Sequence, residues 1–305
     1  MATNDIRDLH RQAVERFSAA VAGTAADAWS QPTPCAAWDV RTLVNHVVGE
    51  NRWLAPLLGG ATIADVGDAL DGDLLGDDPT AAWNASVTEA LDAVATVDLE
   101  RTVHLSFGDT PAEEYLWQVT TDVLVHAWDL ARATGQDETL PGDLVNACAS
   151  WFDSAEDAYR SAGVIGPPVA TDSADSSHAL LGRFGRRTSP DDPLAVVVRF
   201  NTAFANRDFE AFAAALSEDC RFIDTTPPDG IEHVGRQAVT AAFQQIAASN
   251  PSAKFVAEGG FVAGDRVVIQ WRYEWTEAGG GHVRGVDLFR VEGGLVLEKN
   301  AYVKG

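Results

Sequence analysis

The sequence predicts two domains: a helical bundle, then an α+β domain in which helices lie on a curved antiparallel sheet. Three observations carry this. In the first half, apolar residues recur at spacings of three and four, the period of an amphipathic helix. In the last forty or so residues they alternate instead. Val267, Ile269, Trp271, Tyr273 and Trp275 fall on one face of a strand. Charge also changes along the chain. Residues 1–190 hold 11 Arg and no Lys against 29 acidic residues; residues 191–305 hold 11 basic residues, including all the Lys, against 16 acidic ones. The domains are therefore placed at 1–190 and 191–305.

A chain of 305 residues is long enough for two cores. Its formal net charge of -23 and sequence pI of about 4.5 repel nucleic acid and anionic lipid. DNA, RNA and membrane-surface roles are set aside, and a small-molecule substrate is the expected partner. No apolar run approaches the ~20 residues of a membrane span. Met1-Ala-Thr-Asn-Asp5 has neither the basic nor the apolar part of a signal peptide. Cys35, Cys148 and Cys220 are far apart and odd in number, as in a reducing compartment. A cytoplasmic location is expected.

The first helix spans residues 5–22, with Ile6, Leu9, Ala13, Phe17 and Val21 inward. Two prolines and two tryptophans in 29–39 interrupt the pattern. Asp39 suits the N-cap of a second helix over 40–58, which carries Asn45, His46 and Glu50. The acidic stretch 65–78 lacks the ligand order of a calcium loop and reads as a solvated loop with a helical turn. A third helix covers 80–97, with Trp83, Val87, Ala90, Leu91 and Val94 inward. Residues 110–135 read as the long helix that organises the chain. Thr110 is set to cap it, Pro111 suits its first position, Glu113 completes a capping box and Gly135 ends it. A further helix covers 143–162, giving four or five helices in all.

The long helix carries the first site candidates. Asp122 and His126, four apart, project from one face, and Asp129 is three further on. Such a pair ligates a metal or forms a structural hydrogen bond; spacing alone leaves both open. His46 on the second helix is either a core histidine or a third ligand facing this pair. Three ligands with one position open would be a catalytic rather than a structural site.

Pro32-Thr-Pro-Cys-Ala-Ala-Trp-Asp-Val-Arg-Thr-Leu-Val-Asn-His46 and Asp122-Val-Leu-Val-His-Ala-Trp-Asp-Leu-Ala-Arg-Ala-Thr-Gly-Gln136 resemble the DinB-like metal-binding family. More narrowly they resemble the metal-binding domain of mycothiol-dependent maleylpyruvate isomerase. Ala179-Leu-Leu-Gly-Arg-Phe-Gly-Arg-Arg187 resembles the close of that branch. The resemblance covers about residues 5–190. It implies a DinB-like four-helix bundle with a divalent metal, usually zinc, on His46, Asp122 and His126. It also implies a low-molecular-weight thiol such as mycothiol, made nucleophilic as a metal-bound thiolate. Asp122 stands where the isomerase has Glu, a shorter but still hard oxygen ligand.

In the second half, Thr188-Ser-Pro-Asp-Asp-Pro193 is the junction. Asp192 caps a helix with Pro193 at its first position. Helices over 209–216 and 236–248 flank a short strand, 220–224. Four strands follow, with Gly264-Asp265 and Glu292-Gly-Gly294 as turns. Asp287 shares a strand face with Val283, Gly285, Phe289 and Val291. It is either paired with an arginine such as Arg272 or lines a pocket with a raised pKa, fit for acid–base work. Asp224, with His233 nearby in sequence, is the second candidate.

Phe204-Ala-Asn-Arg-Asp208, Asp224-Thr-Thr-Pro-Pro-Asp-Gly230, Trp271-Arg-Tyr273 and His282-Val-Arg-Gly-Val-Asp-Leu-Phe-Arg-Val-Glu-Gly-Gly294 resemble the SnoaL-like, nuclear-transport-factor-2-like superfamily. That resemblance implies a pocket aspartate as general base, Asp287 first and Asp224 second. A homodimer through the C-terminal sheet is the association such a cone allows. The leading expectation is a zinc-dependent enzyme of the mycothiol-dependent isomerase or thiol-transferase type, with a SnoaL-like substrate pocket. The alternatives are a SnoaL-like isomerase or cyclase with a structural metal bundle, and a non-enzymatic small-molecule binder.

Overall fold

The structure is a computed structural model that describes residues 5–35, 38–171, 173–276 and 279–304. Chain contacts divide it into two units. One comprises Met1–Gly23, Arg41–Ala131 and Glu138–Thr188; the other comprises Thr24–Val40, Arg132–Asp137 and Ser189–Gly305.

The first unit is helical. Its elements are α1 (Ile6–Ala22), α2 (Val40–Leu58), α3 (Ile63–Val66), α4 (Pro79–Thr96), the hairpin β1 (Thr102–Leu105) and β2 (Gly108–Pro111), α5 (Ala112–Thr134), α6 (Gly142–Ser161) and α7 (Ser176–Arg183). Asp5 caps α1 by accepting from the Arg7 N–H at 2.9 Å, and Asp78 caps α4 by accepting from Ala81 at 2.9 Å. The predicted inward residues of α1 are buried, and Phe17 packs on Trp83 of α4 with ring centroids 4.6 Å apart. The Trp83 indole N–H donates to Ser18 Oγ at 3.0 Å, so the ring is buried without stranding its polar atom.

The start of α5 differs from the expectation. Thr110 and Pro111 belong to strand β2, paired with Val103 and Thr102, and the helix begins at Ala112. The hairpin takes the residues that would have formed the capping box: Thr110 Oγ1 donates to the Gly108 carbonyl. Gly135 does end the helix, at φ 67, where a side chain would be strained. Every residue of α5 from Val123 to Ala131 is buried, so this part of the helix shows no solvent-facing stripe.

The second unit contains α8 (Pro193–Ala205), α9 (Phe209–Ala214), β3 (Leu216–Ile223), β4 (Glu232–Val234), α10 (Arg236–Ser249), β5 (Lys254–Ala263), β6 (Arg266–Trp275), β7 (Gly281–Glu292) and β8 (Leu295–Lys304). Asp192 caps α8 with Pro193 following it, as read from the sequence. The sheet runs in the order β4-β3-β8-β7-β6-β5. It is mixed, which corrects the antiparallel sheet expected from sequence. The meander β5 to β8 is antiparallel, but β3 enters beside β8 and parallel to it, with Phe222 opposite Lys299. Local apolar spacing carries no sign of which strand β3 joins. Between β3 and its parallel neighbour β8 the chain runs through β4, α10 and β5 to β7, well beyond the length a parallel pairing requires.

The core of this unit is aromatic. Phe200 of α8 meets Phe212 of α9 at 4.5 Å, and Phe243 of α10 lies 4.7 Å from Phe212 and 4.8 Å from Phe222. Burying each such ring contributes about 1.5–3 kcal/mol relative to exposure. No helix among the described residues is long and apolar enough to cross a membrane.

Candidate functional site

In the helical unit, the three predicted residues come together. His46 projects from the second turn of α2, while Asp122 and His126 lie one turn apart on α5. His46 Nε2 is 3.2 Å from Asp122 Oδ2, and His126 Nε2 is 3.3 Å from Asp122 Oδ1. The two imidazoles meet edge to face with centroids 5.1 Å apart. One ligand atom from each of the three lies within 4.8 Å of the others. His126 is buried, whereas His46 and Asp122 are about one-third exposed at the side chain, so the trio is reachable from one side.

The electrostatics agree with this grouping. Burial alone would raise the Asp122 carboxyl. His126 and then His46 outweigh it and hold the group well below the usual carboxylate range. The trio is therefore a carboxylate between two imidazoles. Glu50, one turn after His46 on α2, behaves oppositely: burial, and then the charge of Asp122, push it up to about 6. Tyr115 on α5 is buried close enough to Glu50 to feel its charge; burial first, and then Glu50, push its hydroxyl up.

Behind His126 stands a second layer. Its Nδ1 is 2.9 Å from Asp129 Oδ2, and Asp129 is fully buried. Arg186 donates to that carboxylate from Nη2 to Oδ2 at 2.7 Å and from Nε to Oδ1 at 3.1 Å. Burial raises Asp129, but the Arg186 guanidinium, followed by the hydrogen bond from His126, holds it below the ordinary range. Sequence reasoning noted Glu50 and Asp129 without giving them roles. Their spacings from the histidines, four and three, were the available signal. Arg186, 57 residues beyond Asp129, left none in local spacing, and its one signal was its place in the 179–187 stretch that carries the resemblance.

These residues fit a divalent metal. Two imidazole nitrogens and a carboxylate oxygen form a donor set suited to zinc, with iron, nickel and manganese also accepted by such sets. The outer nitrogen of His126 is held by a carboxylate, as metal-ligating histidines ordinarily are.

The second unit holds a cavity of about 420 Å³. Phe204, Phe243, Phe255 and Trp271 contribute aromatic wall, and Asp287 and Lys299 line it together. Asp287 is not paired with Arg272, which instead contacts Glu274 and Glu258. Its partner is Lys299, whose Nζ lies 2.7 Å from Asp287 Oδ1, both side chains about nine-tenths buried. The lysine ammonium also sits over the rings of Phe222, Phe289 and Phe243 at 5.0, 5.5 and 5.6 Å. The indole N–H of Trp271 is buried with no hydrogen-bond partner among the described residues.

Asp224 is not among the residues lining that cavity. It lies just past β3, where its Oδ1 accepts from the backbone N–H groups of Thr226 and Ile231 at 2.9 and 2.8 Å, and Oδ2 lies 3.3 Å from His233 Nε2. Partial burial raises this carboxyl, but the bonds from Ile231 and Thr226 carry it below its usual value. That geometry organises the turn 224–231.

Comparison with known proteins is consistent with both halves. A model of the mycothiol maleylpyruvate isomerase N-terminal domain matches residues 10–131, and a model of the SnoaL-like domain matches residues 197–299. An uncharacterized protein of Mycobacterium tuberculosis is 34% identical over 140 residues, covering 44% of this chain and 70% of that protein. Among solved structures, an NTF2-like protein of unknown function from Mesorhizobium loti is 40% identical. That match covers 39% of this chain and 98% of the other, with a TM-score of 0.35. A putative polyketide cyclase from Sinorhizobium meliloti is 17% identical over 35% of this chain and 92% of its own, with a TM-score of 0.31.

Proposed function

This chain belongs to the mycothiol maleylpyruvate isomerase N-terminal domain family over residues 10–131 and to the SnoaL-like family over residues 197–299, and from that premise we propose a metal-dependent enzyme of the isomerase or thiol-transferase type acting on a small molecule. The observation that carries the reading is the convergence of His46, Asp122 and His126 within 4.8 Å. A divalent metal bound there, zinc first, would supply Lewis-acid activation of a low-molecular-weight thiol such as mycothiol, favouring its thiolate. The protein's own contribution is to hold two imidazole nitrogens and one carboxylate oxygen toward a shared point. The partial exposure of His46 and Asp122 leaves an approach for the thiol, while buried His126 fixes the inner side. The SnoaL-like domain supplies the pocket for the acceptor molecule or its product.

The test uses the zinc-loaded full chain and a thermal-shift titration with mycothiol. The reading expects a saturable rise in Tm that disappears in His126→Ala. No shift with mycothiol or with other small thiols, in protein shown to carry zinc, would remove the thiol from the account.

A second reading is favoured by one observation, the placement of Asp287 in the wall of the 420 Å³ cavity. Here the cone performs acid–base chemistry with Asp287 as base, and the helical unit's metal is structural. Asp287→Asn would then abolish turnover, and metal removal would cost only stability. Under the first reading Asp287→Asn changes substrate affinity and His126→Ala abolishes turnover.

A further inference from the structure

The residues behind His126 form a chain of contacts that begins on α5 and ends on the segment closing the helical unit. Asp129 is one turn beyond His126 and accepts on Oδ2 from two sides: His126 Nδ1 at 2.9 Å and Arg186 Nη2 at 2.7 Å. Its other oxygen accepts from Arg186 Nε at 3.1 Å. The guanidinium is held in turn, since its Nη1 donates to the Phe184 carbonyl at 2.8 Å. Asp129 has no exposure and Arg186 little, 0% and 17% at the side chain. A carboxylate this deep is costly without a cation, so the arginine is the condition for Asp129 being charged there.

We propose that Asp129 and Arg186 are positioning residues for His126, fixing the ring so that Nε2 faces Asp122 and making metal affinity depend on the 184–187 segment. This rests on the metal reading above. The reasoning is geometric. An imidazole has two nitrogens and can turn over; holding Nδ1 on a buried carboxylate removes that freedom and leaves Nε2 3.3 Å from Asp122 Oδ1. Outer partners of this kind fix ring orientation and typically change metal affinity 10–100-fold when removed. The planar fork of arginine matters because it meets both oxygens of Asp129, which a lysine cannot reproduce. Asparagine at 129 would also fail. Its amide nitrogen would face either a guanidinium donor or the imidazole.

The experiment measures Zn²⁺ affinity by competition with a chromophoric chelator, and the absorption spectrum of the Co²⁺-loaded full chain. Wild type is compared with His126→Ala, Asp129→Asn, Arg186→Met and Arg186→Lys, each checked for folding by circular dichroism and thermal melting. The proposal expects His126→Ala to lose the metal. Asp129→Asn and Arg186→Met should bind Zn²⁺ roughly 10–100-fold more weakly, with shifted Co²⁺ bands, and Arg186→Lys should recover part of the loss. Bands shift only if the ligand geometry changes, so a residue that merely stabilised the fold would leave them in place. Wild-type affinity and spectrum in folded Asp129→Asn and Arg186→Met, with metal lost from His126→Ala, would overturn the positioning role and leave the metal site standing. Metal retained by His126→Ala would overturn both. Should Asp129→Asn fail to fold, the two Arg186 variants carry the test.

Discussion

Lys299 and Asp287 face each other diagonally across β7 and β8, Nζ to Oδ1 at 2.7 Å, in the wall of an aromatic cavity. Phe289 is the residue directly opposite Lys299, and Asp287 is opposite Ala301. The pair is thus a product of strand register: one step along β8 would send the lysine to the other face.

Breaking this pair should be costly, and removing it whole should not. Asp287→Ala leaves an ammonium among three phenyl rings, for an expected loss of about 3–5 kcal/mol in urea denaturation. The double substitution Asp287→Leu with Lys299→Met removes both charges and is expected to be neutral or up to about 4 kcal/mol more stable. Equal losses in the single and double variants would contradict the pairing.

Acid should destabilise the helical unit through His10. This residue of α1 is fully buried, with Nδ1 3.2 Å from Thr120 Oγ1, and burial lowers its pKa from 6.5 to about 4. Its folded pKa lies below its unfolded one, so the unfolded chain binds the proton more readily. The stability it confers is complete above about pH 6.5, falls as pH drops toward 4, and amounts to about 3 kcal/mol by linkage. His10→Gln should flatten the stability profile across that window. An unchanged slope would show that other groups govern it.

Gly285 on β7 seats Trp271. A Cβ there would collide with the Trp271 ring and with the Tyr302 carbonyl, which is backbone and cannot swing aside. Gly285→Ala should cost about 1–3 kcal/mol and alter the tryptophan fluorescence of the cone. Wild-type stability with an unchanged spectrum would mean that the sheet relaxes freely at this point.

Much of this was legible in the sequence, and the gaps have physical causes. Helical periodicity located α1, α2, α4 and α6 because each buries one face, and strict alternation located β6 for the same reason. Helix α5 was legible from the apolar spacing of its first half, the stretch from Val123 to Ala131 having no solvent-facing stripe. The trio was legible because two of its members share a helix face and the third fell in a segment with a family resemblance. Strand β4 and the hairpin were missed: three- and four-residue strands are too short to show a period. The hairpin then displaced a capping box that was locally well formed, a tertiary choice overriding a local one. The parallel entry of β3 and the contact of Arg186 with Asp129 are long-range. Neither leaves a mark in local spacing. Arg272 on β6 and Lys299 on β8 both lie on strands neighbouring that of Asp287. Arg272 stands opposite Arg284, an odd number of residues from Asp287 and so on the other face, whereas Lys299 is two positions from the residue opposite Asp287 and shares its face. That register is a long-range property.

The most direct test of the metal site is the elemental content of untagged protein purified without added metal, wild type against His46→Ala. The account predicts near-stoichiometric divalent metal, zinc foremost, in the wild type and its loss from the variant while the helical signal is retained. A folded wild type that carries no metal, and takes up none on dialysis against zinc, would contradict it and move the chemistry to the cone.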